Sequence, residues 1–433
     1  MKNHLSRLDR NLREILKTIG QKADQKGVSS FVVGGFVRDL FLKKTNLDCD
    51  VVIESDAVAF AQEIAKDYNA SLIVFSQFGT ATMILPQGYR VDLATARKES
   101  YPQKGALPVV WPGSIHEDLF RRDFTINAMA MRINPNRFGE LVDDFKGLRD
   151  LRQKKIRILH DESFRDDPTR ILRAVRFEQR FNFHIERHSF HLLKSALKEG
   201  VEDCVKPQRY FEEFKKILAE ERPQRSIHRL YPLGGLNFLG APLKDITKTV
   251  RLMKKMEETL VWFRKTFLDK KPLENWLAYF MVLADDFSEK QLRSVLKRFN
   301  LKKNDRVKLL SCRTLPSVIR ALRDKSVKPS WVYQVLKPLS YEAILFLKIK
   351  ALDRTKAKAF SQQVAKWIDG FLLKYDSVRL NVNGNELKAL GIPQGPSLGK
   401  ILKALLYAKI DGFITTHQEE LKHALKLVPL IKA

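Results

Sequence analysis

The chain has 433 residues, of which 44% are hydrophobic and 30% are charged, a composition typical of a soluble globular protein with two to four domains. Its three cysteines lie far apart, which excludes a disulfide scaffold and a cysteine-based zinc site and suits a reducing cytoplasm. Because no stretch approaches 18 consecutive apolar residues, we expect no transmembrane helix.

The net charge of +28 is unevenly distributed along the chain. Residues 241–433 contain 38 basic and 18 acidic residues and carry +20, whereas residues 1–240 carry the remaining +8. A basic field of this size attracts polyanions such as RNA, DNA or an acidic membrane. The segregation of the charge favours such a partner over a surface charge that serves only solubility.

The first hundred residues predict a mixed α/β domain. Leucine and isoleucine recur at helical spacing over residues 1–20, which predicts an amphipathic helix. A strand, a glycine pair and a helix start follow in SSFVVGGFVRDLFL, and DCDVVIE predicts a second strand. The segment SDAVAFAQEIAKDY predicts a helix capped by Ser55, and SLIVFS, TATMILP and YRVDLATAR predict three more strands.

The rest of the chain has a different pattern. Residues 98–115 contain three prolines and two glycines, which predicts a loop. From His116 onward the pattern is mainly helical, so we expect an all-α remainder beyond a domain boundary near residue 155.

Two aspartates in the second strand are the most informative candidates for chemistry. Asp48 and Asp50 are separated by one residue, so their side chains point to the same face of a strand. Carboxylates this close repel each other unless a cation lies between them, and Mg²⁺ prefers such oxygen ligands. Gly34 and Gly35 end the preceding strand and open a helix, where backbone N–H groups can approach a phosphate. The alternative is a solvated Asp-x-Asp at a strand edge.

Asp92, in the segment RVDLAT, has two interpretations. It could supply a third carboxylate from a neighbouring strand, or it could form an ion pair with Arg90 or Arg97. The sequence leaves both open.

The segment RRDFTINAMAM places two arginines beside an aspartate at the predicted start of an apolar helix. The guanidinium groups of Arg121 and Arg122 can bind phosphate oxygens in pairs. Asn127 follows Asp123 by one helical turn, so that both could reach a ribose. The alternative is a solvated helix start with an ordinary ion pair.

A second arginine cluster lies in RDDPTRILRAVRF. Asp167 precedes a proline and predicts a helix N-cap with that proline at the first helical position. Arg170, Arg173 and Arg176 then recur every three residues on one helix face. An aspartate acceptor beside an arginine donor can match the hydrogen-bonding edge of a base, whereas the alternative is a capped helix with a basic stripe.

These segments form an ordered set of motifs that resembles a known family. In chain order they are GGFVRD (34–39) with DCD (48–50), RRDFTINA (121–128), DFKG (144–147), DDPTR (166–170) and RYFEEFKKIL (209–218). They resemble the motifs of class II tRNA nucleotidyltransferases, which include bacterial CCA-adding, A-adding and CC-adding enzymes and bacterial poly(A) polymerases. The one departure is Asp166, where the family pattern has Glu.

The resemblance implies an architecture. It implies an α/β nucleotidyltransferase head with a polymerase-β-like mixed sheet, followed by an all-α neck, body and tail. We place the catalytic head at residues 1–155 and the nucleotide-selecting neck at 156–225. The tRNA-binding body and tail would occupy residues 226–360 and 361–433.

The resemblance also implies roles for single residues. Asp48 and Asp50 would be the catalytic residues and would hold Mg²⁺, while Asp167 and Arg170 would read the base of CTP or ATP. The other nucleotide-binding residues would be Gly34, Gly35, Arg38, Arg121, Arg122, Asp123, Asn127, Arg173 and Arg176.

The function implied is a cytoplasmic, template-independent enzyme that adds CCA, or only the terminal A, to the 3′ end of tRNA from CTP and ATP. The length of the segment 98–115 favours an enzyme able to add A. No membrane and no protein partner are expected. A bacterial poly(A) polymerase and an inactive RNA-binding protein with a relic head are the alternatives, and the intact carboxylate pair argues against the second.

Overall fold

The structure is a computed structural model that describes residues 4–44, 48–268, 271–322, 327–353 and 358–432, except for the side chains of residues 358–361 and 428–432. The chain forms two compact units. The first comprises residues 1–214 and 229–238, and the second comprises residues 215–228 and 239–433. Among the helices of the described ranges, none is both long enough and apolar enough to cross a membrane.

The first unit is built around a seven-stranded mixed sheet. The strands of the unit are β1 (Ser30–Val33), β2 (Asp48–Ile53), β3 (Ser71–Phe75), β4 (Thr80–Ile84), β5 (Arg90–Thr95), β6 (Arg97–Ser100), β7 (Val109–Pro112), β8 (Ala130–Arg132), β9 (Leu141–Val142), β10 (Lys155–Ile156) and β11 (His184–Ile185). The order in the large sheet is β3-β4-β5-β2-β1-β8-β9, while β6 pairs with β7 and β10 with β11. Within the large sheet only the pair β2–β5 is parallel.

Eight helices of the described residues lie wholly within the first unit. They are α1 (Arg10–Gln25), α2 (Gly35–Phe41), α3 (Ala57–Asp67), α4 (Ile115–Phe120), α5 (Gly147–Arg152), α6 (Ser163–Asp166), α7 (Thr169–Phe181) and α8 (Arg187–Glu199). Helices α9 (Pro207–Leu218) and α10 (Pro223–Leu230) contribute residues to both units.

The two faces of the large sheet are covered differently. Helix α3 packs against β3, β4 and β5 on the face that carries Val51 and Met83, and these two side chains are fully buried. On the opposite face, Phe31 and Val52 pack in one apolar cluster with Leu119 of α4. Over β3 that opposite face keeps large apolar side chains exposed to solvent. This open half of the sheet adjoins the aspartates of β2, because β4, β5 and β2 are neighbours.

The predicted elements of the first hundred residues are confirmed, with shifts at their ends. The N-terminal helix is α1, and it begins after Asp9, whose carboxylate accepts a backbone N–H bond. Helix α3 is capped by Asp56 and not by the predicted Ser55, because the Asp56 carboxylate accepts the N–H groups of Val58 and Ala59. The predicted strands correspond to β1 to β5.

The prediction of a loop over residues 98–115 is wrong, because β6 and β7 form an antiparallel hairpin there. Arg97 lies opposite Pro112, and Ser100 lies opposite Val109. Pro112 therefore ends β7, and the other two prolines lie between β6 and β7. At these places the missing N–H group of proline costs no hydrogen bond between the strands.

The prediction of a mainly helical pattern from His116 onward missed β8 and β9, which complete one edge of the large sheet. These strands have three and two residues. Segments this short carry no detectable hydrophobic period, so sequence patterns do not reveal them.

The described part of the second unit is helical, as predicted for the chain beyond residue 155; the short pair of strands β10 and β11 departs from that prediction and lies in the first unit. Its helices are α11 (Ile246–Phe267), α12 (Asn275–Leu283), α13 (Glu289–Arg298), α14 (Lys303–Ser311), α15 (Leu315–Ala321), α16 (Pro329–Leu336), α17 (Tyr341–Leu352), α18 (Lys358–Leu373), α19 (Gly384–Ala389), α20 (Pro396–Ile410) and α21 (His417–Lys432). Helices α12 and α17 are buried along almost their whole length, and α11 and α18 pack against α17.

Candidate active site

The two aspartates of β2 lie on the open face of the sheet, as the sequence predicts. Asp48 and Asp50 are exposed, whereas Cys49 between them is fully buried on the other face. The parallel pairing of β2 with β5 places Asp92 directly beside Asp50. The pKa of Asp50 is raised, chiefly because protein atoms around the site displace water from its carboxylate. Asp92 and Asp48 add to this shift, and Arg122 opposes it.

The structure supports both interpretations of Asp92 in part. It is a third carboxylate on the strand next to Asp50, and it also forms the predicted ion pair with Arg90, at 3.1 Å. The hydroxyl of Thr82 donates a hydrogen bond to Asp92 at 2.5 Å. Arg97 is engaged elsewhere, with Glu99.

The donor set of this site fits Mg²⁺. Within the described residues, no group of three or more His, Cys, Asp and Glu side chains is arranged to hold a metal ion. Mg²⁺ does not require such a group, because it is commonly bound by one or two carboxylates together with water and substrate phosphates. Asp48 and Asp50 supply two hard oxygen donors on one strand face, and their mutual repulsion is the charge pattern that a cation relieves.

A cavity of about 590 Å³ opens beside Asp50. Its described lining contains nine arginines and four carboxylates, so its net charge is strongly positive. The predicted site residues that line it are Gly35, Arg38, Asp50, Arg121, Arg122, Asp123, Asn127, Asp167, Arg170, Arg173 and Arg176. Gly34, Asp48 and Asp92 lie outside this lining.

The backbone conformation of Gly34 and its lack of a side chain leave room for Arg122. Its φ is +67°, a conformation that favours glycine, and a Cβ at this position would lie 2.4 Å from Nη1 of Arg122. A side chain here would therefore displace that guanidinium. Gly34 is the residue that precedes α2, as predicted.

The prediction of an apolar helix starting at Arg121 is wrong. Helix α4 ends at Phe120, and a short 3-10 turn over Thr125–Asn127 leads into β8. Asp118, in the last turn of α4, is fully buried and accepts hydrogen bonds from both Arg121 and Arg122. The two arginines hold the pKa of Asp118 below its usual range, although burial alone would raise it.

The predicted proximity of Asp123 and Asn127 is confirmed without a helix. Nδ2 of Asn127 donates to Oδ1 of Asp123 at 2.8 Å, and Nη1 of Arg38 donates to Oδ1 of Asn127 at 2.6 Å. Nε of Arg173 donates to Oδ2 of Asp123 at 2.8 Å. Burial acts to raise the pKa of Asp123, but Arg173 and Asn127 outweigh it and lower that pKa. These four polar groups form a continuous network along one wall of the cavity.

Asp167 has the capping contact that the sequence predicts, shifted by one residue. Helix α7 begins at Thr169, and Oδ1 of Asp167 accepts the backbone N–H of Thr169 at 3.1 Å and its hydroxyl at 2.6 Å. The flanking residue of the helix is Pro168, not Asp167, so the prediction of Asp167 as N-cap is wrong by one position. Oδ2 of Asp167 forms an ion pair with Arg209 at 2.7 Å.

Arg170 is buried and lines the cavity. Its two terminal nitrogens donate to the hydroxyl of Ser163 and to the carbonyl oxygen of Arg121, each at 2.7 Å. The guanidinium is therefore held in a fixed orientation. Arg173 and Arg176, on the same helix, both approach Glu213 at 3.5 Å.

The β6–β7 hairpin contributes cavity residues that sequence reasoning missed. Glu99 accepts from Arg97 at 2.9 Å and from Arg121 at 3.1 Å, and the hydroxyl of Tyr101 donates to Glu99 at 3.0 Å. Burial raises the pKa of Tyr101 to about 12. The alternation of Arg97, Glu99 and Tyr101 is a strand pattern that could have revealed them. Other missed lining residues are Pro108, Phe177, Arg180 and Arg209.

The motif DFKG (144–147) forms a turn that is held by the aspartate just before it. Asp143 accepts the backbone N–H groups of Gly147 and Leu148, whereas Asp144 pairs with His116 at 2.8 Å. A Cβ at Gly147 would lie 2.1 Å from the carbonyl oxygen of Thr125, so only glycine allows this close approach.

Comparisons with known proteins extend over nearly the whole chain. Residues 30–157 match the model for the poly A polymerase head domain. The A-adding tRNA nucleotidyltransferase of Geobacter sulfurreducens is 35% identical over 419 residues, which are 95% of this chain and 47% of that protein. This chain thus spans about half the length of that relative.

Two further proteins match over nearly their full length. The A-adding tRNA nucleotidyltransferase of Halalkalibacterium halodurans is 31% identical over 421 residues, which are 95% of this chain and 91% of that protein. The structure of the Thermotoga maritima CCA-adding enzyme complexed with tRNA superposes with a TM-score of 0.72 and 33% identity, covering 98% of this chain and 97% of that one. From these similarities and the site described above, the chain belongs to the tRNA nucleotidyltransferase family that contains the A-adding and CCA-adding enzymes.

Proposed function

We propose that this chain transfers nucleotides from ATP and CTP to the 3′ end of tRNA, adding CCA or only the terminal A. The observation that carries the proposal is the arginine-lined cavity of about 590 Å³ with Asp50 in its wall. The names of the two sequence relatives favour the addition of the terminal A.

The reaction forms one bond and breaks one bond at the α-phosphorus. The 3′ oxygen of the RNA bonds to this phosphorus, the bond to the β-phosphate oxygen breaks, pyrophosphate leaves, and the hydroxyl proton passes to water. Mg²⁺ held by Asp48 and Asp50 would neutralise charge on the triphosphate and lower the pKa of the 3′ hydroxyl. The orientation of both aspartates toward one strand face supports this role.

The arginines of the cavity complement the charge of the triphosphate. Asp118 fixes Arg121 and Arg122, so that little side-chain entropy remains to be lost when phosphate oxygens bind. Asp123 and Asn127 are proposed to bind the ribose hydroxyls. Further contacts to the nucleotide are proposed for Gly34, Gly35, Arg38, Arg173 and Arg176.

Base selection is assigned to Asp167 and Arg170. Adenine and cytosine both present an amino donor next to a ring-nitrogen acceptor, whereas guanine and uracil present a carbonyl next to an N–H group. A carboxylate acceptor beside a guanidinium donor matches the first pair and not the second. Ser163 orients Arg170 and Arg209 orients Asp167, which supports a rigid selecting edge.

We further propose that the basic second unit binds the tRNA and that the protein acts in the cytoplasm. The division into head (1–155), neck (156–225), body (226–360) and tail (361–433) stays a prediction.

The test is an extension assay with three RNAs: tRNA lacking CCA, tRNA lacking only the terminal A, and an unstructured RNA. We expect products one nucleotide longer from the second RNA with ATP, and no extension of the unstructured RNA. Extension of the first RNA with CTP and ATP together would identify full CCA addition. Long A tails on the unstructured RNA would instead identify a poly(A) polymerase and contradict the proposal.

A further inference from the structure

A second cavity, of about 410 Å³, lies over the open half of the large sheet. It is distinct from the arginine-lined cavity, but Asp50, Arg121 and Arg122 line both. Its floor is formed by the side chains that share the face of Asp50 on β3, β4 and β5. The two cavities therefore meet at one carboxylate of the pair.

The second cavity combines an aromatic side chain with a cation. Phe75 is 45% exposed although it is a large apolar side chain on a strand. Across the floor, Arg90 keeps 54% of its side chain exposed while its guanidinium pairs with Asp92. In the pairing of β3 with β4, Thr80 lies opposite Phe75, and in the pairing of β4 with β5, Thr82 lies beside Asp92. The floor thus runs from an aromatic ring through polar groups to the carboxylates.

We propose that this second cavity binds the 3′-terminal nucleotide of the acceptor RNA, with its base stacked on Phe75. The inference rests on the proposed function and adds the position of the second substrate. A two-substrate transfer must bring the 3′ oxygen and the α-phosphorus together at the same carboxylates. The first cavity has the charge for a triphosphate, and the second cavity, which Asp50 also lines, offers the RNA end a place beside that carboxylate.

Stacking suits this task because it tolerates different bases. Every base presents a π face, so an aromatic ring can hold an RNA end of any terminal base. Addition of a full CCA would require this tolerance at the acceptor end, since the terminal base changes between steps, and addition of the terminal A alone is compatible with it. Arg90, beside the floor, is in place to approach a backbone phosphate of the RNA.

The first experiment compares Phe75→Ala with Phe75→Tyr and with the control Phe78→Ala. Phe78 lies three residues after Phe75, in the connection between β3 and β4, and is 56% exposed, but it does not line the cavity. With tRNA lacking the terminal A, we expect Phe75→Ala to raise the KM for tRNA about tenfold and to leave the KM for ATP unchanged. Phe75→Tyr and Phe78→Ala should keep the KM of the unmodified protein. An unchanged KM for tRNA in Phe75→Ala would overturn the proposal.

A second experiment needs no variant. A tRNA whose 3′-terminal nucleotide is 4-thiouridine is irradiated with the protein, and the crosslinked peptide is mapped. We expect crosslinks within residues 71–95, and excess unmodified tRNA should suppress them. Crosslinks only outside this range would overturn the stacking site. If the unmodified protein extends no tRNA with ATP or CTP, the proposed function itself fails, whereas extension with an unaffected Phe75→Ala refutes the stacking site alone.

Discussion

Two carboxylates of the second unit and the aspartate pair of the first have different surroundings. In the second unit, Asp376 and Glu420 are buried and surrounded by donors. Asp376 accepts from Lys271, Lys337 and Tyr341 at 2.6–2.8 Å. In the first unit, Asp48 and Asp50 are exposed on a strand face. A carboxylate whose lone pairs are filled by the protein stabilises the fold, whereas a solvent-facing carboxylate beside a cavity is available to a ligand.

Glu420, another buried carboxylate of the second unit, shows the same pattern. Glu420 is fully buried, pairs with Lys409 at 2.6 Å, and accepts the backbone N–H groups of Asn381 and Val382 at 2.8 and 2.9 Å. These bonds tie the start of α21 to the segment before α19 and to the end of α20.

The contrast between the buried carboxylates and the exposed aspartate pair leads to four expectations about single substitutions, given from the largest expected effect to the smallest.

The largest effect is expected from Asp50→Asn. This change keeps the shape of the side chain but removes the charge proposed to bind Mg²⁺, so extension of tRNA should fall at least about a thousandfold. The melting temperature should stay within a few degrees, because Asp50 is exposed. Extension assays and thermal unfolding of the same preparation measure both. Near-normal turnover would show that the metal assignment is wrong.

The next effect is on nucleotide choice. Arg170→Ala removes the proposed donor to the base, so the preference for ATP over GTP should fall about 100-fold in kcat/KM. Because Arg170 is buried and bonded to Ser163, Ser163→Ala is the matched control. It removes the same internal bond but keeps the guanidinium, and it should retain most of the preference. An unchanged ATP/GTP ratio in Arg170→Ala would refute the base-reading role.

At Asp376 we expect the opposite result, a loss of stability without a loss of activity. Asp376→Asn leaves two lysines without their counter-ion and should lower the free energy of unfolding by about 3 kcal/mol. Kinetic constants for ATP should not change at temperatures where the variant is folded. Urea denaturation and steady-state kinetics test the two halves of this expectation. A large loss of ATP affinity without loss of stability would break the contrast between the two units.

Asp376 also makes the stability of the fold depend on pH. Burial alone would raise the pKa of Asp376, but Lys271, Lys337 and Tyr341 lower it to about 2. Because the folded pKa lies below the unfolded value of about 3.9, Asp376 stabilises the fold fully above pH 4. This contribution is lost as the pH falls through 4 toward 2, and Asp376→Asn should flatten that part of the stability curve.

The smallest effect is expected from Tyr101→Phe. The hydroxyl of Tyr101 donates one hydrogen bond to Glu99, which retains Arg97 and Arg121 as partners. Since its pKa is about 12, Tyr101 stays protonated through pH 10. We expect kcat/KM for ATP to fall less than tenfold and the alkaline limb of the pH profile to stay unchanged. A shifted alkaline limb would show that Tyr101 titrates during the reaction.

Local patterns predicted several side-chain placements around the cavity. The alternation of a strand places Asp48 and Asp50 on one face, and the spacing of three places Arg170, Arg173 and Arg176 along one wall of the cavity. Both follow from the geometry of a single element. The order of the motifs was sufficient to indicate the family.

Local patterns failed where a residue's conformation depends on a distant partner. The segment after Arg121 leads into β8, which pairs with β1 from a distant part of the chain. The prolines of residues 98–115 predicted a loop, although β6 and β7 pair as a hairpin. The strands β8 and β9 are too short to show a hydrophobic period. They form by pairing, β8 with β1 and β9 with β8.

The sequence by itself determined which residues carry charge, which face of each regular element they occupy, and the family to which the chain belongs. Only the tertiary structure decided that Asp92 lies beside Asp50, that Arg209 pairs with Asp167, and that Asp50 lines two cavities. The reason is that side-chain direction within a strand or helix follows from backbone geometry over a few residues. The partners across the sheet and along the cavity wall come from segments tens of residues apart, and only the packing of the whole unit brings them together.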